Sequence, residues 1–382
     1  MSIHHQTKFP SVKTTIFSQM SQLASEHDAL NLSQGFPDFD CNKTLIKEVE
    51  KAMHKGLNQY APMAGVLALR ERICALESRF YSANYSPESE ITITAGATQA
   101  LFTAILSIVR PGDEVIIFDP SYDCYAPAVE LAGGDCKHIP LQAPDYSIPW
   151  DAVKKFITQN TKLIIINTPH NPSGSIMSAA DLEKLQRLVA GTDVIILSDE
   201  VYEHIVYDGY EHQSIARFPQ LAERSFIVRS FGKSFHTTGW KVGYILAPAF
   251  LMSEYRKVHQ YNVFSVNTPA QYAFASILQH QELLEELSAF YQAKRDRFVK
   301  GLKGSKFSFV PSAGTYFQNL DFRKISQEND VDFAIRLVKE HKIASIPLSV
   351  FYADKKDYKQ LRFCFAKHDE TIDKAIEILC KI

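Results

Sequence analysis

The chain has 382 residues, 46% of them hydrophobic, enough to bury an extensive core in two or three domains. Its 41 basic and 43 acidic side chains leave a formal charge of −2, and no basic run has the form of a phosphate-backbone footprint, so no nucleic-acid partner is expected. No apolar run approaches the ~20 residues that span a bilayer, so no membrane partner is expected either.

Six cysteines are scattered along the chain with no CxxC pair and no Cys/His grouping at metal-ligand spacing, so reduced thiols and no metal are the expectation. The N-terminal MSIHHQTKFPSV lacks the apolar core of a secretion signal, which makes the cytoplasm the expected location.

In chain order, EITIT (90–94) reads as a strand and ATQALFTAILSIVR (97–110) as an amphipathic helix. The runs EVIIFD (114–119), KLIIIN (162–167), DVIILSDE (193–200) and SFIVRSF (225–231) follow at spacings long enough for crossover connections. Near-continuous Ile, Val and Leu suit strands buried on both faces, so the pattern predicts an α/β fold with a mainly parallel sheet between helices. Ligands of such sheets sit beyond the carboxyl ends of the strands. The polar tails TAG, DPSYD, NTPHNPSG, SDEVY and SFGKS fall there. From residue 282 a long helix is predicted, followed by strand-like pieces FSFVPS, TYFQNLDF and LRFCF and a closing helix DETIDKAIEILCKI. The expected division is a large domain over 41–281 and a smaller α+β domain over 282–382, against which the segment 1–40 packs.

Chemistry concentrates at the polar tails. In SFGKSFHTTGWKVG (230–243), GKS suggests a phosphate-binding P-loop, but the glycine that motif requires five residues before Gly232 is Ile227. What remains is Lys233 just past a buried strand, with Lys241 eight residues on. Asp199 ends an apolar strand, where a carboxylate either caps the next helix or serves a buried partner such as a protonated ring nitrogen. Tyr202 lies three residues later, within reach of the same side. Asn171 lies in a Pro/Asn/Gly-rich turn and offers an amide. Ala97 and Thr98 lie at a strand-to-helix turn whose free amides suit a phosphate. Arg362, in a late strand, is either an interdomain salt-bridge partner or a clamp for a carboxylate. No GxGxxG is present, which argues against a dinucleotide.

Taken in order, NLSQGFPDF, QYAPMAG, GATQAL, DPSYDCY, NTPHNPSG, SDEVY, SFGKSFHTTGWKVG, HQYNVFSVNTPAQ, IPLSVFY and LRFCFAK resemble the class I/II aminotransferases of pyridoxal-phosphate fold type I over essentially the whole length. Within that family the chain is similar to the kynurenine/glutamine aminotransferase group and, more narrowly, to the bacterial methionine aminotransferases. The resemblance implies that Lys233 carries the cofactor aldehyde and later shuttles a proton, that Asp199 pairs with the ring nitrogen, and that Tyr202 and Asn171 bond the phenolic oxygen. It implies Tyr122 against the ring face, and Ala97, Thr98, Ser230 and Lys241 on the phosphate, with Tyr60 contributed from a neighbouring subunit of a homodimer. Arg362 would grip the substrate carboxylate, assisted by Asn171 and the backbone at Gly35, while Phe36, Tyr60, Tyr122 and the Phe264 region, with Phe351 nearby, would receive an uncharged or aromatic side chain. The implied reaction moves an amino group from methionine or an aromatic or uncharged amino acid to a 2-oxo acid. A β-lyase acting on cysteine S-conjugates or cystathionine, or a kynurenine/glutamine preference, are the alternatives on the same fold. Ser265 stands where the animal kynurenine enzymes carry histidine, and SVNTPAQ matches the methionine-type enzymes instead.

Overall fold

The computed structural model describes residues 7–9 and 14–382. Among the described residues twelve strands follow one another: β1 (Leu30–Asn31), β2 (Ile91–Thr94), β3 (Glu114–Asp119), β4 (Asp135–Pro140), β5 (Thr161–Asn167) and β6 (Ile195–Asp199), then β7 (Ser225–Ser230), β8 (Gly243–Leu246), β9 (Phe317–Asp321), β10 (Ile343–Ala344), β11 (Ile346–Pro347) and β12 (Gln360–Cys364). Seven form one sheet in the order β2-β8-β7-β6-β5-β3-β4. β8 is antiparallel to both of its neighbours, so β2 runs with the other five and the sheet is parallel but for one strand.

β6 and β7 have almost every side chain buried, alternate residues pointing to opposite faces, so both faces must be covered. The helix Gly96–Ile108 lies across β6, β7 and β8, and the helix Ala249–Asn262 packs on it in turn. The expected strands of this sheet appear within two residues of their predicted ends. The edge strand β4 carries DCKHIP, which is partly exposed and was not legible as a strand, because one paired side does not demand an apolar run.

The C-terminal portion holds the long helix Glu282–Gly301 and an antiparallel sheet in the order β11-β12-β9. FSFVPS, read as strand-like, forms a single bridge from Ser308 to Asp321 and no strand. Strand pairing and helix packing both join the start of the chain to this portion. β1 pairs in parallel with β10, and the helix Ile16–Glu26 packs on the helix Asp330–His341. Of the segment 1–40, residues 1–6 and 10–13 lie outside the described residues.

The centre of the sheet is the most sensitive place to remove volume. Ile196, on β6 between β5 and β7, is fully buried, and Ile196→Ala is expected to cost about 2–5 kcal/mol of unfolding free energy. Urea unfolding followed by circular dichroism measures this, and a loss below about 1 kcal/mol would show that β6 does not organise the core.

Candidate active site

Six strands send their carboxyl ends to one edge of the sheet, β2, β3, β5, β6 and β7 among them, and β8 starts at that edge because it runs the other way. The register sets two neighbouring rows: Asn167 opposite Asp199 on β5 and β6, and Ser230 opposite Gly243 opposite Thr94 on β7, β8 and β2. The loops leaving these ends enclose a cavity of about 150 Å³. Ala97, Thr98, Tyr122, Asn171, Asp199, Tyr202, Ser230, Lys233 and Lys241 all line it.

On the second row, Gly96 sits at φ +77, and a Cβ there would lie 3.2 Å from the Lys241 Nζ, so the lysine head rests against the start of the helix Gly96–Ile108. A Cβ on Gly243 would meet the Arg229 carbonyl at 2.6 Å and the Ala97 amide nitrogen at 3.3 Å, so only glycine lets these backbones approach. Ser230, Lys241 and the amides of a helix start therefore share one corner, a donor set suited to an anion.

Asp199 is buried on the first row. The Tyr125 hydroxyl donates to its Oδ2 at 2.6 Å. Burial pushes the Asp199 carboxyl up to about 6, although Tyr125, the Val201 amide and the charge of Lys233 oppose the rise. Asn167 holds the end of β6 in place, its amide donating to the Asp199 carbonyl at 2.8 Å while its Oδ1 accepts from the Asn171 amide at 2.8 Å. On the neighbouring wall the Tyr122 hydroxyl lies 3.1 Å from the Thr98 Oγ1.

Lys233 has no carboxylate within 4.0 Å among the described residues. Its Nζ donates to the Tyr316 hydroxyl at 3.0 Å and the Gly35 carbonyl at 3.4 Å, and Tyr316 donates to that carbonyl at 2.6 Å. Loss of hydration brings its pKa down to about 8, with the charges of Lys241 and Arg362 acting in the same direction. Arg362, in the central strand β12 of the small sheet, is also buried with no carboxylate that close among the described residues. Its Nη1 donates to Asn171 Oδ1 at 2.7 Å, and its guanidinium lies 4.0 Å from the Phe317 ring centre and 4.9 Å from that of Phe351. A buried guanidinium held by an amide and two rings keeps donors available for a carboxylate ligand.

Gly35 therefore joins the site through its carbonyl and Arg362 through Asn171. Phe36 is tied to the small sheet by Lys367, which donates to its carbonyl at 2.9 Å. Tyr60 and Phe264 do not line this cavity; they pair edge to face at 5.3 Å on the surface, Tyr60 being 82% exposed. Tyr125 and Tyr316 were not singled out from sequence. Tyr125 belongs to the DPSYDCY motif, whereas nothing in GTYFQ marks Tyr316 beforehand. A second cleft, about 980 Å³, backs onto Asn167 and Tyr125, and none of the residues expected from sequence and no lysine or arginine lines it. Among the described residues no group of three or more His, Cys, Asp or Glu is arranged to hold a metal, and no helix is long and apolar enough to cross a membrane.

The lowered pKa of Lys233 has a direct consequence. Only the neutral amine attacks a carbonyl, so the neutral fraction should rise through pH of about 8 rather than near the ordinary lysine value of 10.5. Reductive methylation of the cofactor-free protein with formaldehyde, read by mass spectrometry on the Lys233 peptide across pH, should show its midpoint near 8. A midpoint at the ordinary lysine value would contradict the effect of burial.

Residues 27–379 match the family described as aminotransferase class I and II. The methionine aminotransferase of Escherichia coli strain K12 is 49% identical over 98% of this chain and 97% of its own. A crystal structure of an Escherichia coli protein identified as having methionine aminotransferase function superimposes with a TM-score of 0.98 at 48% identity, covering 100% of both chains. The kynurenine–oxoglutarate transaminase of Dictyostelium discoideum is 34% identical over 98% of this chain and 96% of its own. The mainly parallel sheet and the family expected from sequence are thus both found. The chain belongs to the class I and II aminotransferases, on the fold-type I scaffold, and is a transaminase.

Proposed function

We propose that this transaminase uses pyridoxal 5′-phosphate held at the carboxyl edge of the large sheet, and that it takes its amino group from methionine or another uncharged or aromatic amino acid and passes it to a 2-oxo acid. The residues present fit such a cofactor. Asp199 offers a buried carboxylate to a ring nitrogen, and Asn171 and Tyr202 offer hydrogen-bonding groups to a phenolic oxygen. The corner made by Ala97, Thr98, Ser230 and Lys241 accepts a phosphate, and Tyr122 supplies an aromatic wall. When bound, pyridoxal phosphate supplies an aldehyde and an electron-withdrawing ring that acidifies the substrate's α-carbon.

The chain's own contribution then follows from its side chains. Arg362 binds the substrate carboxylate, and Asn171, already its partner, fixes the direction of the guanidinium. Lys233, with its lowered pKa, can be neutral near physiological pH and take the proton from the α-carbon, then return it at another position. Tyr316 and the Gly35 carbonyl hold the amine on station between these steps. The observation that carries this reading is the pair of shielded cations, Lys233 and Arg362, each without a carboxylate partner among the described residues and each joined to the cavity walls by hydrogen bonds.

The preference for an uncharged side chain rests on the likeness to the methionine enzyme and on the aromatic character of Phe36, Tyr60, Tyr122 and Phe264. The exposure of Tyr60 beside Phe264 supports a homodimer in which these rings complete the partner's site. We further divide the chain into a large cofactor domain (41–281) and a small domain (282–382) to which the described part of 1–40 attaches, and assign the enzyme to a reducing, cytoplasmic compartment, where its six free thiols stay unpaired.

Two variants test the reading together. Lys233→Ala should retain cofactor binding in part yet lower transamination by at least about a hundredfold, the scale of a lost acid–base group. Arg362→Ala should lower kcat/KM by the equivalent of about 2–5 kcal/mol, since a buried charge partner is lost. Normal activity in Lys233→Ala, or unchanged kinetics in Arg362→Ala, would remove that residue from the role given to it.

A further inference from the structure

Behind the sheet from the cavity lies a second concentration of charge. Arg229 is fully buried, and its guanidinium gathers three carboxylates that are themselves buried. Its Nη2 lies 3.1 Å from Glu77 and 3.4 Å from Glu200, and its Nη1 pairs with Glu203. The Tyr81 hydroxyl and the Ser214 Oγ each accept from it at 3.0 Å, and the Tyr81 ring centre is 4.4 Å from the guanidinium carbon. Glu200 is held further by Ser198, His212 and the Ile215 amide at 2.7, 2.9 and 3.1 Å.

A cluster of this kind is a poor way to gain stability, because well-packed apolar residues of equal volume serve as well or better. Its placement suggests another use. Each member on or after the central strands is the chain neighbour of a residue that lines the cavity: Glu200 follows Asp199, Glu203 follows Tyr202, and Arg229 precedes Ser230. Successive side chains of a strand point to opposite faces, so Arg229 is directed away from the face that Ser230 serves. The Glu200 amide donates to the Val228 carbonyl at 2.9 Å, so the turn after β6 is also laced to β7 by its backbone. Binding by Arg229 holds the backs of both segments to each other and to Glu77 on the helix Leu67–Tyr81.

We propose that Arg229 is a positioning residue: by drawing Glu77, Glu200 and Glu203 into one buried ion cluster it fixes the spacing of Asp199, Tyr202 and Ser230 on the cofactor side of the sheet. The inference rests on the reading of those three residues as the cofactor's contacts. The charge of Arg229 opposes the cost of burying both Glu200 and Glu77, and prevails at Glu200. Burial would raise the Glu200 carboxyl, yet Arg229 and His212 bring it down to about 2, while burial, with Glu200 adding, pushes Glu77 up to about 7 against the pull of Arg229. A reacting group displaced by an ångström can lose about a hundredfold in rate, so modest loosening here should be visible in catalysis.

The test uses full-length protein carrying Arg229→Met together with Glu203→Gln, which removes one charge of each sign, and Glu203→Gln alone as the milder, near-isosteric variant. Folding is checked by thermal melting. Pyridoxal phosphate is titrated into the cofactor-free proteins, and kcat and KM are measured with L-methionine. The double variant should melt cooperatively, bind the cofactor at least about tenfold more weakly with a shifted visible maximum, and lose at least about tenfold in kcat with KM little changed. Glu203→Gln should move the same readouts in the same direction, and decides the matter if the double variant does not fold. A folded variant with wild-type cofactor affinity, visible maximum and kcat would overturn the proposal and leave the cluster as scaffold. Asp199→Asn, assayed alongside, separates the two levels: if it too changes nothing, the reading of the cofactor site fails rather than the role of Arg229.

Discussion

A parallel sheet sends its strand ends to one edge, and nearly everything that distinguishes this chain is written at that edge. β2, β3, β5, β6 and β7 all finish there, so five loops widely separated in sequence must meet, and the reversed β8 brings Lys241 in from the other direction. Backbone hydrogen bonding sets the level at which each loop departs: Asp199 stands beside Asn167, and Ser230 beside Gly243 and Thr94. The cavity is thus a consequence of register, and a one-residue slip in any central strand would turn its chemistry to the opposite face.

Within that frame, electrostatics sorts the charged residues into two kinds. Arg229 is surrounded by carboxylates, whereas Lys233 and Arg362 are shielded from water but held by neutral groups: a phenol, carbonyls, an amide and aromatic rings. A shielded cation with only neutral partners is costly to maintain and is suited to meet a negative or electrophilic ligand. Arg362 lies where three parts of the chain converge, since Asn171 comes from the loop after β5 and the rings of Phe17 and Phe351 come from the start of the chain and the small-sheet region. The contacts on which a substrate carboxylate would draw are therefore long-range, and they depend on the whole chain being folded.

Much of this was legible in the sequence because apolar runs and turn residues are local signals. The bounds of β3 were read as they stand, and those of β5, β6 and β7 to within two residues, since strands covered on both faces can tolerate few polar side chains. The edge strand β4 lacked that signal, the short β8 carries it in GYIL but runs on directly from the SFGKSFHTTGWKVG segment with no break to set it apart, and FSFVPS carried a strand-like pattern without a partner along its length. At the site, Ala97, Thr98, Tyr122, Asn171, Asp199, Tyr202, Ser230, Lys233 and Lys241, all within motifs, line the cavity, whereas Tyr60 and Phe264 do not. Partners supplied from afar were not legible: Tyr125 meets Asp199 across 74 positions, Tyr316 meets Lys233 across 83, and no period or spacing announces either. The exposed pairing of Tyr60 with Phe264 is likewise a fact of tertiary structure that the QYAPMAG and FSVNTPAQ motifs alone do not convey.

The central claim is that the edge cavity holds pyridoxal phosphate and that methionine can donate its amino group there. The visible spectrum of the purified protein, recorded before and after addition of L-methionine with no 2-oxo acid present, tests it most directly. The account predicts a yellow protein whose visible band is replaced by that of the pyridoxamine form when methionine is added. A protein that stays colourless when pyridoxal phosphate is supplied would contradict it, leaving the fold without the proposed cofactor.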